Sequence, residues 1–270
     1  MTSQATAHTT VHNPKIAARK ITLAELKDLP TLKAQTDRHN PIVHYDLVTT
    51  LRDRIDAVLG AKIAKYDLAV GRGKDFYIVK GQHGADTAAI YGTLILEKEG
   101  PAGTSYAIGF RGANDRTMSL RMIGGMNVHV CDNGLFYGEE EFLQEKHLTS
   151  LDLGAKLDES LKNLKPRFAE MSEGVRKLKS DKIADEIAKA VIFDALLGHI
   201  LPDHLKGKVW KEWREPRHEE FRPRTMWSLY NGFTEVMKEL PVTTRTTKIQ
   251  QLGVLVGFGE AKSEKEEAKN

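Results

Sequence analysis

Cysteine is nearly absent from this chain: Cys131 is the only one in 270 residues. A lone thiol excludes an internal disulfide and any zinc or iron–sulfur site that needs several cysteines from one chain, and it is the usage expected of a reducing, cytoplasmic compartment. Long apolar runs are missing as well. None reaches the roughly eighteen residues a membrane-spanning helix needs, and the start, MTSQATAHTTVHNPK, lacks the hydrophobic core of a secretory signal. We therefore expect an intracellular chain with no membrane partner. Charge of one sign is also lacking: 40 Lys and Arg against 37 Asp and Glu leave a net +3. A nucleic-acid surface, if there is one, has to be a local patch.

Several reaction-bearing motifs are absent. GRGKDF does not carry the frame of a phosphate-binding loop, and no Gly-x-Gly-x-x-Gly opens a helix after a strand. There is no His-Glu-x-x-His and no Gly-x-Ser-x-Gly. His199 and His204 stand five apart across Pro202, a poor spacing for metal on a helix, and Glu139, Glu140 and Glu141 are adjacent, which marks no acid/base pair. No cofactor or metal is expected, and no catalytic residue is assigned.

The residues that are present change character along the chain. Residues 1–40 are polar, with one short apolar patch in ITLAELKDLPTL, and read as a flexible N-terminal arm holding a helical turn or two. In YDLVTTLRDRIDAVLG, Leu47, Leu51, Ile55 and Leu59 recur every fourth residue, the stripe of an amphipathic helix. Glycine-bounded segments rich in β-branched and aromatic residues follow: KIAKYDLAV, DFYIVKG, TAAIYGTLILEKE, TSYAIGF, SLRMIGGMNVHVC and EEFLQEKHL. Their lengths read as an antiparallel meander over about residues 61–148.

From about Leu151 the period turns helical. Leu153, Leu157, Leu161, Leu164, Phe168, Met171, Val175 and Leu178 form a near-heptad seam. Pro166 within it, lacking a donor, predicts a kink or a break into two helices. Ser180 and Asp181 are suited to cap a further helix, KIADEIAKAVIFDALLGHIL, and RTMWSLYNGFTEVMKEL reads as another, stopped by Pro241. The expected fold is α+β: a β-meander preceded by one helix and followed by a helical C-terminal half over about residues 151–240. It forms a single domain over residues 41–258 with a solvated tail at 259–270.

Gly109 to Gly138, GFRGANDRTMSLRMIGGMNVHVCDNGLFYG, concentrates the candidate chemistry. Gly112, Asn114 and Asp115 are turn residues. After a Gly124–Gly125 bend, strict alternation puts Met126, Val128 and Val130 on an apolar face and Asn127, His129 and Cys131 on the other. A thiolate activated by His129 is one use. Side chains two apart on a strand stand roughly 7 Å apart, however, and a buried structural cysteine is the commoner fate. The other use is electrostatic: Arg111, Arg116 and Arg121 flank the turn, where they and the backbone amides can approach phosphates.

NDRTMSLRMIGG followed by VCDNGLFYG resembles the signature of the prokaryotic family catalogued as domain of unknown function 932, phage- and plasmid-related proteins. Arg121, Gly125, Val130, Cys131, Asn133, Gly134 and Leu135 match, and Asp132 replaces the usual Ser. TMWSLYNGFTE resembles that family's second motif through Trp227, Tyr230, Asn231, Thr234 and Glu235. The resemblance spans roughly residues 42–240 and implies a mobile-element context. It implies no activity and transfers no catalytic residue.

Trp227, Tyr230 and Thr234 share one helix face, an aromatic stripe more often core than ligand site. Asn231 and Glu235 beside it are placed to tie the helix to the CDNG turn, so Cys131, Asn133, Gly134, Trp227, Tyr230 and Asn231 read as a structural set. Upstream, HLKGKVWKEWREPRHEEFRPR mixes seven Lys and Arg with four Glu around Trp210, Trp213 and Phe221. Rings among cations suit single-stranded nucleic acid; tryptophans plugging the core are the plainer account.

The leading expectation is a non-enzymatic nucleic-acid-associated protein of a phage or plasmid that binds or anneals single-stranded DNA. Arg111, Asn114, Arg116, Arg121, Trp210, Trp213 and Arg214 would line its groove, and the chain would self-associate. The competitors are an enzyme using His129 and Cys131, and a partner-binding protein acting through the 153–178 seam.

Overall fold

The computed structural model describes residues 18–73, 79–101, 103–128, 133–136 (backbone path alone) and 143–258. The expected C-terminal tail lies outside the described residues. Ala18–Ile21 forms β1 and Leu23–Lys27 forms α1, which is capped reciprocally by Thr22 and Glu25. The chain from Ala18 to Asn40, expected within a flexible arm, is therefore built into the fold. Ile21, Leu26 and Leu32 are buried, and β1 pairs with the next strand.

Helix α2, His44–Leu59, buries Leu47, Leu51, Ile55 and Leu59 as the four-residue spacing predicts, and ends at Gly60 in the left-handed region. Strands β2 (Ile63–Gly71), β3 (Ala89–Glu99), β4 (Thr104–Ala113), β5 (Met118–Val128) and β6 (Asn133–Phe136) pair antiparallel in sequence order. The short β7 (Leu143–Glu145) shares the far edge of β5. The fold is α+β with an antiparallel meander. Of DFYIVKG, residues 75–78 lie outside the described residues, and Val79 to Gly81 turn rather than extend, with Gln82 N–H bonded to Val79 O at 2.9 Å. Gly124 and Gly125 make no bend: β5 runs through both.

Helix α3, Leu153–Ser180, crosses the sheet. The whole seam from Leu157 to Leu178 is buried. Its closest approach is at Gly124, where a methyl group would lie 2.3 Å from Leu164 Cδ1. Tyr106 of β4 stacks on Phe168 with ring centroids 4.3 Å apart, and its hydroxyl meets Ser172 Oγ at 2.7 Å. Leu68, Ile90, Leu94, Ile108, Phe110, Met122, Met126 and Val128 form the sheet's side of this core.

The expected break at Pro166 does not occur. Pro166 and Lys162, whose carbonyl loses its partner, are both exposed, so water can take up the free carbonyl. Ser180 and Asp181 finish α3 instead of capping the next helix. The chain first pairs Ile183 N–H with Arg224 O at 2.9 Å, and α4 starts later, at Asp185–Leu197.

Helices α5 (Lys206–Arg214), α6 (Met226–Met237) and α7 (Val242–Leu255) complete the chain. α6 is apolar almost all round and correspondingly buried; among Met226–Met237 only Glu235 is not. It ends at Met237, and Pro241 caps α7 rather than stopping α6. α6 packs on α3, α5 packs on α6, and β6 lies against α6 and α7.

Because the α3 seam is spent within the chain, Leu161→Ala should act as a core truncation and cost about 2–5 kcal/mol. Denaturant melting of the two proteins would measure this. A change in hydrodynamic size without loss of stability would instead place the seam at an interface between copies.

Candidate functional site

The end of the β4–β5 hairpin gathers most of the expected cations. Strand register places Arg111 directly opposite Arg121 on one side and Tyr91 on the other. Their sequence neighbours Phe110 and Met122 face the core, so alternation turns Arg111 and Arg121 to the opposite face of the sheet, away from α3. At the tip, Arg116 is exposed with φ +70°, in the left-handed region. Arg121 Nε lies 3.4 Å from Ser119 Oγ. Neither Arg111 nor Arg116 forms an ion pair among the described residues.

Four of the other expected ligands do not join them. Asn114 is buried, its Nδ2 donating to Ile42 O at 2.9 Å while its Oδ1 accepts from Ile42 N–H at 2.9 Å. The turn amides are also spent: Asn114 N–H bonds Ala88 O at 2.8 Å, Arg116 N–H bonds Ala113 O at 3.3 Å and Thr117 N–H bonds Asp115 Oδ1 at 3.1 Å. Trp213 is a core residue whose Nε1 donates to Asp185 Oδ1 at 2.9 Å, with the Arg224 guanidinium 4.8 Å above its ring. Arg214 pairs with the same carboxylate. These donors and cations hold the Asp185 carboxyl below its usual range.

Trp210 is half-buried, with Lys189 Nζ 5.4 Å and the Arg214 guanidinium 5.8 Å from its ring centre. It belongs to α5, beyond α6 and α3, whereas Arg111 and Arg121 face away from α3. Asn114 and Trp213, both buried, do not line a surface groove with the arginines.

His129 and Cys131 lie outside the described residues. Asn133 and Gly134 enter β6 opposite Val128 and Asn127, and β6 lies against α6. Trp227, Tyr230 and Asn231 of that helix are buried, with the first two rings stacked 6.1 Å apart. Asn231 Nδ2 donates to Trp227 O at 2.9 Å. Glu235 is tied to Arg217 and Lys238, and Cys131 and Asp132 of the CDNG turn lie outside the described residues.

Behind the arginines the structure adds a buried polar cluster that no sequence motif marks. His147 Nδ1 lies 2.9 Å from Asn114 Oδ1. A carbonyl oxygen only accepts, so Nδ1 carries the proton and Nε2 keeps its lone pair, which is buried without a partner. Gln35 N–H donates to His39 Nδ1 at 3.1 Å, which leaves the His39 proton on Nε2, likewise unpartnered. His44 Nε2 is 2.9 Å from Thr87 O. Asp115 accepts from Thr117 through Oδ1, while Oδ2 is buried against Gly73 with no donor.

Burial pushes all three histidines below the usual imidazole value, His147 to about 4, aided there by His39 and His44. Burial also raises the Tyr91 hydroxyl, although Arg111 opposes it. Among the described residues no group of three His, Cys, Asp or Glu could hold a metal. The tautomers agree, because the free nitrogen of His39 already bears hydrogen. The cluster holds the turn in position.

No protein-family model matches the chain, and no curated protein and no solved structure matches it either. Among the described residues no helix is long and apolar enough to cross a membrane.

The buried histidines carry a pH consequence. In the folded state they bind fewer protons than in the unfolded chain, so their contribution is intact above the unfolded value of 6.5 and is lost as pH falls toward about 4. For His147 the loss is roughly 3 kcal/mol. Urea melting should show wild type losing more stability over this window than His147→Gln. Parallel curves would contradict the assignment.

Proposed function

We propose that this chain is a non-enzymatic nucleic-acid-associated protein that binds single-stranded DNA, and so can support its annealing, through the outer face of the β4–β5 hairpin. The observation that carries this reading is the placement of Arg111 directly opposite Arg121, with Arg116 exposed at the tip between them. Two guanidinium groups at directly opposed strand positions can hold one phosphate between them. Guanidinium groups suit this because their planar forks bind phosphate oxygens bidentately.

The burial of Asn114 and the anchoring of Arg111 and Arg121 on paired strands support the reading further, since a rigid frame places cations at lower entropic cost. The chain's near-neutral total fits a local phosphate track. The likeness of the two motifs to the domain of unknown function 932 proteins supports a phage or plasmid setting. Trp213 and Asn114 have no part in the interface, and Trp210 is on the wrong side of the sheet to share it.

Anisotropy titrations with a labelled single-stranded oligonucleotide at several salt concentrations test this. Log affinity should fall with log salt at about −0.7 per neutralised phosphate, and Arg111→Ala and Arg116→Ala should each flatten that slope by about one contact. Trp213→Ala should lower the melting temperature and leave the slope unchanged. Absence of low-salt binding by folded protein, or equal slopes in all variants, would refute the proposal.

A further inference from the structure

Segments far apart in the chain meet under the turn that carries Arg116, and one side chain joins them. The backbone of Ile42 orients the Asn114 amide, because Nδ2 donates to Ile42 O and Oδ1 accepts from Ile42 N–H, each at 2.9 Å. That orientation leaves a carbonyl oxygen facing His147, so Nδ1 of the ring is the protonated nitrogen. Nε2 lies toward Gly112 of β4, where an added methyl group would be 3.4 Å from it, and it has no partner there. The imidazole therefore backs the turn at both Gly112 and Asn114.

This geometry accepts one protonation state. A second proton on His147 would sit on Nε2, buried and without an acceptor. His39 supplies none: its Nδ1 takes Gln35 N–H, and its Nε2 already bears hydrogen. His44 is engaged with Thr87 O at 2.9 Å. The surrounding charges do not compensate. His39 and His44 disfavour a cation on His147, and Arg116 disfavours one on His39; Asp115 favours a cation, but at His39. Asp37, Arg38 and Lys146, neighbours in the chain, are exposed, where water screens them. Among the described residues no carboxylate is bonded to any of the three rings.

His147 also stands where the fold can give. It lies beyond β7 in a stretch without regular structure, clasped by Asn40 N–H on His147 O at 3.0 Å and Thr149 N–H on Arg38 O at 3.1 Å. The apolar seam between α3 and the sheet contains none of these groups. We propose that Asn114 and His147 form an acid-released latch: a second proton on the imidazole expels it from beneath Gly112 and Asn114, and Arg116 loses its fixed position while the rest of the fold stands. The consequence for nucleic acid rests on the proposed binding face; the latch itself does not.

Burial holds His147 at about 4 in the closed latch, against 6.5 once released. Opening therefore gains up to tenfold per pH unit as pH falls, and roughly 300-fold over the whole interval. Amide exchange of the full chain without nucleic acid, taken as protection relative to the intrinsic rate at each pH, reads this at Asn40, Ile42 and Asn114. Their N–H groups bond His147 O, Asn114 Oδ1 and Ala88 O, none of them a carboxylate. Their protection should lie below that of α3 at every pH, the mark of opening without unfolding. It should fall by up to that factor between pH 6.5 and about pH 4. His147→Gln keeps a donor for Asn114 Oδ1 and does not titrate, so there the fall should be absent. With oligothymidylate, whose bases do not titrate in this range, the wild-type salt slope should drop toward that of Arg116→Ala on acidification, and that of His147→Gln should not. Protection that is constant with pH in wild type, or equal to that of α3, overturns the latch whatever the variant does. An equal fall in His147→Gln also overturns it. A latch that opens with no change in salt slope overturns its link to nucleic acid. Absence of oligonucleotide binding at every pH refutes the binding face instead, and the exchange result still decides the latch.

Discussion

The contact on which the rest of the molecule depends is the seating of Leu164 on the backbone of β5 at Gly124. Only a residue without a side chain lets α3 approach the strand this closely. That approach brings Phe168 onto Tyr106 and lays a seven-residue apolar seam along the meander. α2 and α6 pack on α3 in turn. The opposite face carries Arg111 and Arg121 among the buried Ala89, Tyr91, Ile95, Ala107, Ala113 and Ile123. The position of the proposed DNA surface is thus a consequence of where a glycine stands three strand positions beyond Arg121.

A second constraint holds the hairpin tip. The Asn114 amide bonds both backbone groups of Ile42 and takes the His147 imidazole, so one side chain joins the segment before α2, the β4–β5 turn and the segment after β7. Burying these polar groups is costly, and the unpartnered Nε2 atoms of His39 and His147 and Oδ2 of Asp115 show that the cost is not fully offset. What the cluster secures is position. Arg116 at the tip is held in a left-handed conformation by a turn whose described amides and carboxylate are largely engaged. Preorganised cations lose less freedom on meeting a ligand than cations on a loose loop.

Features governed by local period were legible in the sequence. The stripes of α2 and α3, the antiparallel strands and the inward turn of Met126 and Val128 all follow from spacing that repeats within one element. What escaped depended on contacts between distant segments. β1 reads as polar arm because its apolar content is small, and it becomes a strand only through pairing with β2. Pro166 is a reliable stop signal in isolation, yet here its orphaned carbonyl faces water and the helix continues. Val242–Leu255 carries a weak, Thr-rich pattern that gives no clear stripe. At the site, the opposition of Arg111 and Arg121 is set by register across a four-residue turn. His39, His44 and His147 are spread over more than a hundred residues and match no motif, so nothing local signals that they meet. Asn114 and Trp213 misled for a common reason: their polar groups suit a ligand as well as they suit the core partners they have.

The proposed phosphate-binding surface lies on the face of the sheet turned from α3, and the helices α2, α3 and α6 pack on the other face. Amide hydrogen exchange of the full chain, with and without a single-stranded oligonucleotide at low salt, separates the two sides directly. Added protection is expected in the β4–β5 hairpin from Arg111 to Arg121, with α3 and α6, which lie on the other side of the sheet, unchanged. Protection confined to α4 and α5 around Trp210, with the hairpin unaffected, would contradict it.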